Sequence, residues 1–169
     1  MNVIKQLALC TQRSDCYLAM DSGAFADHAA NPIAATNSQR YYKVMQFVAD
    51  TSQPELASFT LDMNSAEIAL TFSETVNVDT LIRSAITLLG STNGPAVKFS
   101  ACPDSAACTL SKDGTVVKVG ILDDDMNQIK LKLFATGAAD AFVSITDALI
   151  KDVARSPNKV AQVLAKDAI

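Results

Sequence analysis

Apolar and polar side chains alternate along much of this chain with the period of two that a half-buried strand requires. Ala57, Phe59, Leu61 and Met63 alternate with Ser58, Thr60 and Asp62, and Ile68, Leu70 and Phe72 alternate with Ala69, Thr71 and Ser73. The short segment Asn64, Ser65, Ala66 between them predicts either a hairpin or a crossing between sheets. Asp113-Gly114 separates Thr109-Leu110-Ser111 from Thr115-Val116-Val117-Lys118-Val119 and is the strongest hairpin signal present. Val97, Phe99 and Ala101 form another alternating run, entered through the turn Gly94-Pro95. Further strands are expected over residues 142–145 and 160–165. Helices are few: two turns over residues 79–86, a helix over residues 124–133, and a single turn within residues 147–154. The second of these has Asp123 as its expected N-cap and Met126, Ile129 and Leu133 on one face. Strands about every ten residues with short helical connections predict an all-β fold, an immunoglobulin-like antiparallel β-sandwich. The antibody signature is absent, since the chain has no Trp and no widely spaced cysteine pair to bridge two sheets.

The pattern also repeats. Met1-Asn2-Val3-Ile4-Lys5 aligns with Met126-Asn127-Gln128-Ile129-Lys130, and the offset of 125 residues holds as far as Pro32 over Pro157. Thr11, Asp15, Asp27 and Ala29 recur as Thr136, Asp140, Asp152 and Ala154, while Leu9, Tyr17, Leu18, Met20 and Phe25 become Phe134, Phe142, Val143, Ile145 and Ile150. Apolar positions stay apolar. Beyond Pro32 the alignment resumes with Lys43-Val44-Met45 over Lys159-Val160-Ala161, which implies nine additional residues in the first copy. The expectation is a stretch of a longer tandem array in which Met1 is not an initiator. Residues 1–50 are the C-terminal part of one repeat, and residues 51–169 are a complete repeat with its exit strand. The linker Asp50-Thr51-Ser52-Gln53-Pro54 contains no Gly, so it should hold neighbouring repeats within a limited range of angles.

Composition narrows the function classes. The formal charge of −4 comes with acid and base interspersed and no basic stripe, which argues against a nucleic-acid partner. No apolar run is long enough to predict a membrane span in this segment, and the N-terminus lacks the order of a signal peptide. The four cysteines form two local pairs of identical spacing, Cys10 with Cys16 and Cys102 with Cys108. Cys10 and Cys16 lie over Ala135 and Ala141, so both members of one pair are exchanged together. That is what a disulfide demands, and it points to an oxidising compartment. Each bridge would close a loop worth about 2 kcal/mol. Zinc bound by four thiolates is the rival, but its pairs usually enclose two to four residues and lie closer together.

Candidate chemistry is sparse. The triplet Asp123, Asp124, Asp125 is a weak calcium candidate, with a helix start at the positive end of the dipole as the simpler reading. Asp62 and Glu74 are expected to be solvated carboxylates at strand ends. His28 is the only histidine and lies over Val153, so the repeat does not require an imidazole. No phosphate loop, nucleophile elbow or zinc-protease motif is present. No catalysis, metal or cofactor is therefore expected. Arg40, Tyr41 and Tyr42, within the extra residues, are the candidate contacts for assembly or a glycan. Asn-linked sequons are absent, so any glycan would be O-linked, on hydroxyls such as Ser38, Thr51, Ser52, Ser91 or Thr92.

Pro54-Glu55-Leu56-Ala57-Ser58-Phe59-Thr60-Leu61-Asp62-Met63-Asn64, Leu70-Thr71-Phe72-Ser73-Glu74-Thr75-Val76, Asp123-Asp124-Asp125-Met126-Asn127-Gln128-Ile129-Lys130 and Asp27-His28-Ala29-Ala30-Asn31-Pro32 are the most distinctive runs of the repeat. In these runs the chain resembles the tandem immunoglobulin-like repeats of very large algal and protist cell-surface proteins, including those of flagellar hairs (mastigonemes). The resemblance implies a secreted, glycosylated role in an extracellular filament or cell coat. The expected partners are neighbouring repeats and copies of the same fibre, and the expected place is the cell or flagellar surface. The alternative from the residues is an adhesin-like module that binds a glycan or protein through its loops.

Overall fold

The computed structural model of the 169-residue chain describes residues 7, 9–36, 41–102, 109 and 112–169. Its strands are short and antiparallel. Strands β1 (Tyr17–Leu18) and β2 (Tyr42–Lys43) pair with each other. Strands β3 (Leu56–Asp62), β4 (Glu67–Asn77), β5 (Ile86–Leu89), β6 (Ala96–Lys98) and β7 (Gly114–Gly120) follow, then the helix α1 (Asp123–Leu131) and strands β8 (Phe142–Ile145) and β9 (Lys151–Asp152). One sheet has the order β3-β4-β7, with β9 added to β4, and another has the order β6-β5-β8. Among the described residues α1 is the single α-helix, so the chain is β-rich with little helix.

The period-two runs fill these strands. Ile68, Leu70 and Phe72 of β4 and Val117 and Val119 of β7 are buried, as are Ile86 and Leu88 of β5 and Val143 and Ile145 of β8. All belong to one hydrophobic cluster that also takes in Met126 and Ile129 of α1. Each such side chain contributes about 1.5–3 kcal/mol on leaving water. β3 and β4 form a hairpin in which Asp62 faces Glu67. Its turn is held by Asp62 Oδ1, which accepts from Asn64 N at 2.8 Å and Ser65 N at 3.2 Å.

Several local expectations change. A register shift between Leu56 and Ser58 turns Ala57 to solvent, so the inward positions of β3 are Leu56, Phe59 and Leu61. The two turns expected over residues 79–86 are separate 3-10 turns, Val78–Thr80 and Arg83–Ala85. Helix α1 is capped at Leu122, not Asp123, and no side chain caps it. Leu133 leaves the helical face because α1 ends at Leu131 and Leu133 adopts φ 54°. In place of the expected turn of helix, residues 147–154 hold β9 and the loop around it. Thr109 bridges to Val119. Residues 110 and 111 lie outside the described set, as do residues 1–6 and 8, which align with residues 126–131 of α1 and with Leu133 after it.

The two copies recur in backbone geometry. A 3-10 turn at Arg13–Asp15 is matched by one at Ala138–Asp140. Cys10 and Ala135, at the mouth of each, have φ 55° and 58°. Thr11 Oγ1 donates to Asp15 Oδ2 at 2.5 Å, and Thr136 Oγ1 donates to Asp140 Oδ2 at 2.8 Å.

Past the recurring Asp the offset becomes 127. Asp27 N donates to Asn31 O and Asp152 N to Asn158 O, while Ile33 N donates to Phe25 O and Val160 N to Ile150 O. Thr36 N donates to Met20 O as Val163 N does to Ile145 O. Leu18 pairs with Tyr42 as Val143 does with Ile169. The nine-residue insertion inferred from Lys43 over Lys159 therefore does not exist. The second copy is longer by two residues, in the loop after Asp152.

Candidate functional site

The acidic triplet does not form a ligand set. Asp123 and Asp124 are exposed, whereas Asp125 is buried and ion-paired with Arg83, Nη2 to Oδ2 2.6 Å. Ser100 donates to the same carboxylate through its N–H and through Oγ, the latter at 2.8 Å. Arg83 also donates from Nε to Gly120 O at 3.1 Å and from Nη1 to Ser100 O. Its guanidinium lies 4.9 Å from the centre of the Phe99 ring. A buried fork with this many acceptors ties the turn before β5, the end of β7, the segment after β6 and the start of α1 together. It is structural chemistry, and it leaves Asp125 unavailable to a cation.

A second group of carboxylates sits where the linker meets the second copy. Asp50, Glu74 of β4 and Asp152 of β9 each place a carboxylate oxygen within 4.8 Å of the others, so Glu74 is not the isolated solvated acid expected. Hydrogen bonds fix the linker here. Asn158 Nδ2 donates to Asp50 O at 3.3 Å and to Asp152 Oδ2 at 2.9 Å, and Ala161 N donates to Pro54 O at 2.8 Å. Glu55 and Ser73 exchange two bonds, Glu55 N to Ser73 Oγ and Ser73 N to Glu55 O. Oxygen-only donors suit a hard cation such as calcium, which takes six to eight oxygens. Asp152, however, already accepts from Ala154 N, Asn158 N and Asn158 Nδ2. Asp27 in the first copy accepts the same three bonds, from Ala29 N, Asn31 N and Asn31 Nδ2. That recurrence makes loop closure the role of this acid. Beside the cluster a cavity of about 220 Å³ is lined by Leu9, Cys10, Phe47, Val48, Val153 and Arg155 among others. It brings the disulfide loop of the first copy against the Asp152 loop of the second.

Four acids elsewhere are held ionised by the turns they close. The Thr11 hydroxyl lowers the pKa of Asp15 and the Asn31 side chain that of Asp27. The Ser65 hydroxyl does the same for Asp62, and the Thr136 backbone N–H for Asp140.

The remaining candidates fall as follows. Cys10 and Cys16 are bonded, with Cα atoms 4.2 Å apart. Cys102 is disulfide-bonded too, while Cys108 lies outside the described residues. Tyr41 and Tyr42 are exposed, but Tyr42 pairs in β2 and neither belongs to an inserted loop. Arg40 lies outside the described residues. His28 is exposed. Among the described residues no helix is long and apolar enough to cross a membrane. The Asp50, Glu74 and Asp152 grouping escaped the sequence reading because its members are far apart in the chain. The recurrence of Asp27 as Asp152 was the one signal available.

No protein-family model, no curated protein and no solved structure matches this chain.

Proposed function

We propose that this chain is a stretch of a tandem array of immunoglobulin-like sandwiches with a structural role in an extracellular filament or cell coat of flagellar-hair type. Its repeats would supply length, stiffness and lateral contacts, with neighbouring repeats as partners and without catalysis. The observation that carries this reading is the recurrence of one hydrogen-bonding scheme in both copies, with the linker between them tied down by Asn158 and Ala161. A pinned linker without Gly transmits bending from one repeat to the next, which a stiff array needs and a set of independent modules does not. The antiparallel sheets and the Cys10–Cys16 bond are consistent with a secreted β-domain.

The test is immunogold electron microscopy of native material with antibodies raised against residues 51–169. Labelled fibres or a labelled coat at regular spacing are the expected result, and label confined to the cell interior would refute the proposal. The adhesin-like alternative draws on the exposed Tyr17, Tyr41 and Tyr42. Saturable binding to a glycan array that is lost in Tyr41→Ala and Tyr42→Ala would favour it.

A further inference from the structure

The first copy shows apolar side chains to solvent at the positions where the second copy buries them. Leu9 is 57% exposed and its counterpart Phe134 4%; Leu18 is 55% exposed and Val143 0%; Phe25 is 67% exposed and Ile150 0%. Phe134, Val143 and Ile150 are covered in the hydrophobic cluster that β4, β5 and β7 supply. Backbone edges tell the same story. β8 pairs with β5, Leu88 opposite Val143 and Ile86 opposite Ile145, and β9 pairs with β4, Asp152 opposite Val76. Their counterparts in the first copy, Leu18 and the Ala26 bridge, pair only within that copy among the described residues. A strand edge and an apolar face left open together are a docking surface.

The geometry points to one occupant. We propose that residues 9–43 are the rear half of a sandwich and that its cover is a front half with the strand pattern of β3 to β7, carried on the same polypeptide. In the second copy the covering strands reach α1 through Ile121 and Leu122 alone, since β7 ends at Gly120 and α1 begins at Asp123. Front and rear halves thus arrive as one continuous chain. The inference rests on the tandem-array reading, but it assigns a specific partner to a specific face.

The test adds residues 51–125 of this chain ahead of Met1, the register in which Met1 takes the place of Met126. Hydrogen exchange is then followed at Ile33, Thr36 and Val44, whose amides bond within the first copy. In the extended protein these amides are expected to slow by about 100-fold or more, toward the rates of Val160 and Val163, in a monomer. Leu18→Asp in the extended protein should abolish that gain and leave Val160 protected. In the chain without the addition, Leu18→Asp should leave the main thermal transition in place, whereas Val143→Asp should remove it.

Unchanged exchange in the extended protein would overturn the proposal, as would equal damage from the two aspartates in the unextended chain. Protection in the unextended chain that appears only with dimerisation would assign the face to a second copy, and would equally overturn the commitment to one polypeptide. None of these results bears on whether the native material is a fibre, so the two proposals fail separately.

Discussion

Asp125→Ala should be among the most damaging single substitutions in this chain. The Arg83 side chain is 3% exposed and that of Asp125 4%, and their 2.6 Å contact is the only ion pair Arg83 makes among the described residues. Removing one partner of a buried pair costs about 3–5 kcal/mol, because the other charge stays in a medium that cannot solvate it. Ser100 would also lose the acceptor of its N–H and its hydroxyl. At about 2.1 cal/mol/K per residue, a folding unit of about 120 residues loses about 4 °C for each kcal/mol, so the midpoint should fall by about 12–20 °C.

The assay is urea denaturation of the full chain followed by circular dichroism, with thermal scans in parallel. The double variant Arg83→Met with Asp125→Leu should recover much of the loss, since it removes both charges. A residue of about 1–3 kcal/mol should persist, because the Ser100 N–H stays unsatisfied. Arg83→Lys should resemble the single loss more than the wild type, since an ammonium cannot reach Gly120 O, Ser100 O and Asp125 together. If Asp125→Ala lost less than about 1 kcal/mol, Arg83 would have to be reaching water, and the claim that this network clamps both sheets to α1 would be wrong.

Four further outcomes are expected. Folded-state pKa values of Asp62 and Asp140 lie below the ordinary 3.8, so their stabilisation is complete above that value and is lost as pH falls through the lower folded value. Urea midpoints between pH 2 and 6 should show this acid limb, and Asp140→Asn should flatten it; an unchanged limb would refute the assignment. Joint replacement of Cys10 and Cys16 by Ala should cost no more than about 2 kcal/mol and leave the main transition in place, because the counterpart loop at Ala135 and Ala141 holds the same turn without a bond; calorimetry checks this. Chelator should leave the thermal midpoint within about two degrees, and a larger fall would assign an ion to Asp50, Glu74 and Asp152 in preference to the triplet containing Asp125. Gly90→Ala should destabilise by about 1–3 kcal/mol in a urea titration, since an added Cβ would stand 2.8 Å from Phe134 Cβ and 3.0 Å from Pro95 Cγ.

What the sequence revealed and what it hid have physical causes. β4 was legible because Ile68, Leu70 and Phe72 alternate with Ala69, Thr71 and Ser73 and all three are buried, and β7 because Asp-Gly announces it. The 3-10 turns around Arg83 were not. Leu81, Ile82, Ala85 and Ile86 fit a helical stripe as well as they fit a bend between sheets, and only the tertiary hold on Arg83 decides between them. Asp125 looked like a solvated dipole partner because its neighbours are acidic, and nothing local shows that it alone turns inward to a residue 42 positions away.

The repeat alignment failed for a related reason. Matching Pro32 to Pro157 is natural, since proline is the conspicuous residue of each loop, yet neither proline is what closes the loop. Closure needs an asparagine whose backbone and side chain both bond the aspartate, and that asparagine precedes the proline in one copy and follows it in the other: Asn31 before Pro32, Asn158 after Pro157. Aligned on the hydrogen-bonding residue, the two copies run in step to Tyr42 and Ile169, and the apparent insertion around Arg40, Tyr41 and Tyr42 vanishes. The strand predicted over residues 160–165 is no more than a bridge of Val163 to Ile145, and those tyrosines are then the counterparts of Ala168 and Ile169, which follow the 3-10 turn Ala165–Asp167. A contact made through them would follow from the identity of the side chains at a shared backbone position, and not from a loop added for the purpose.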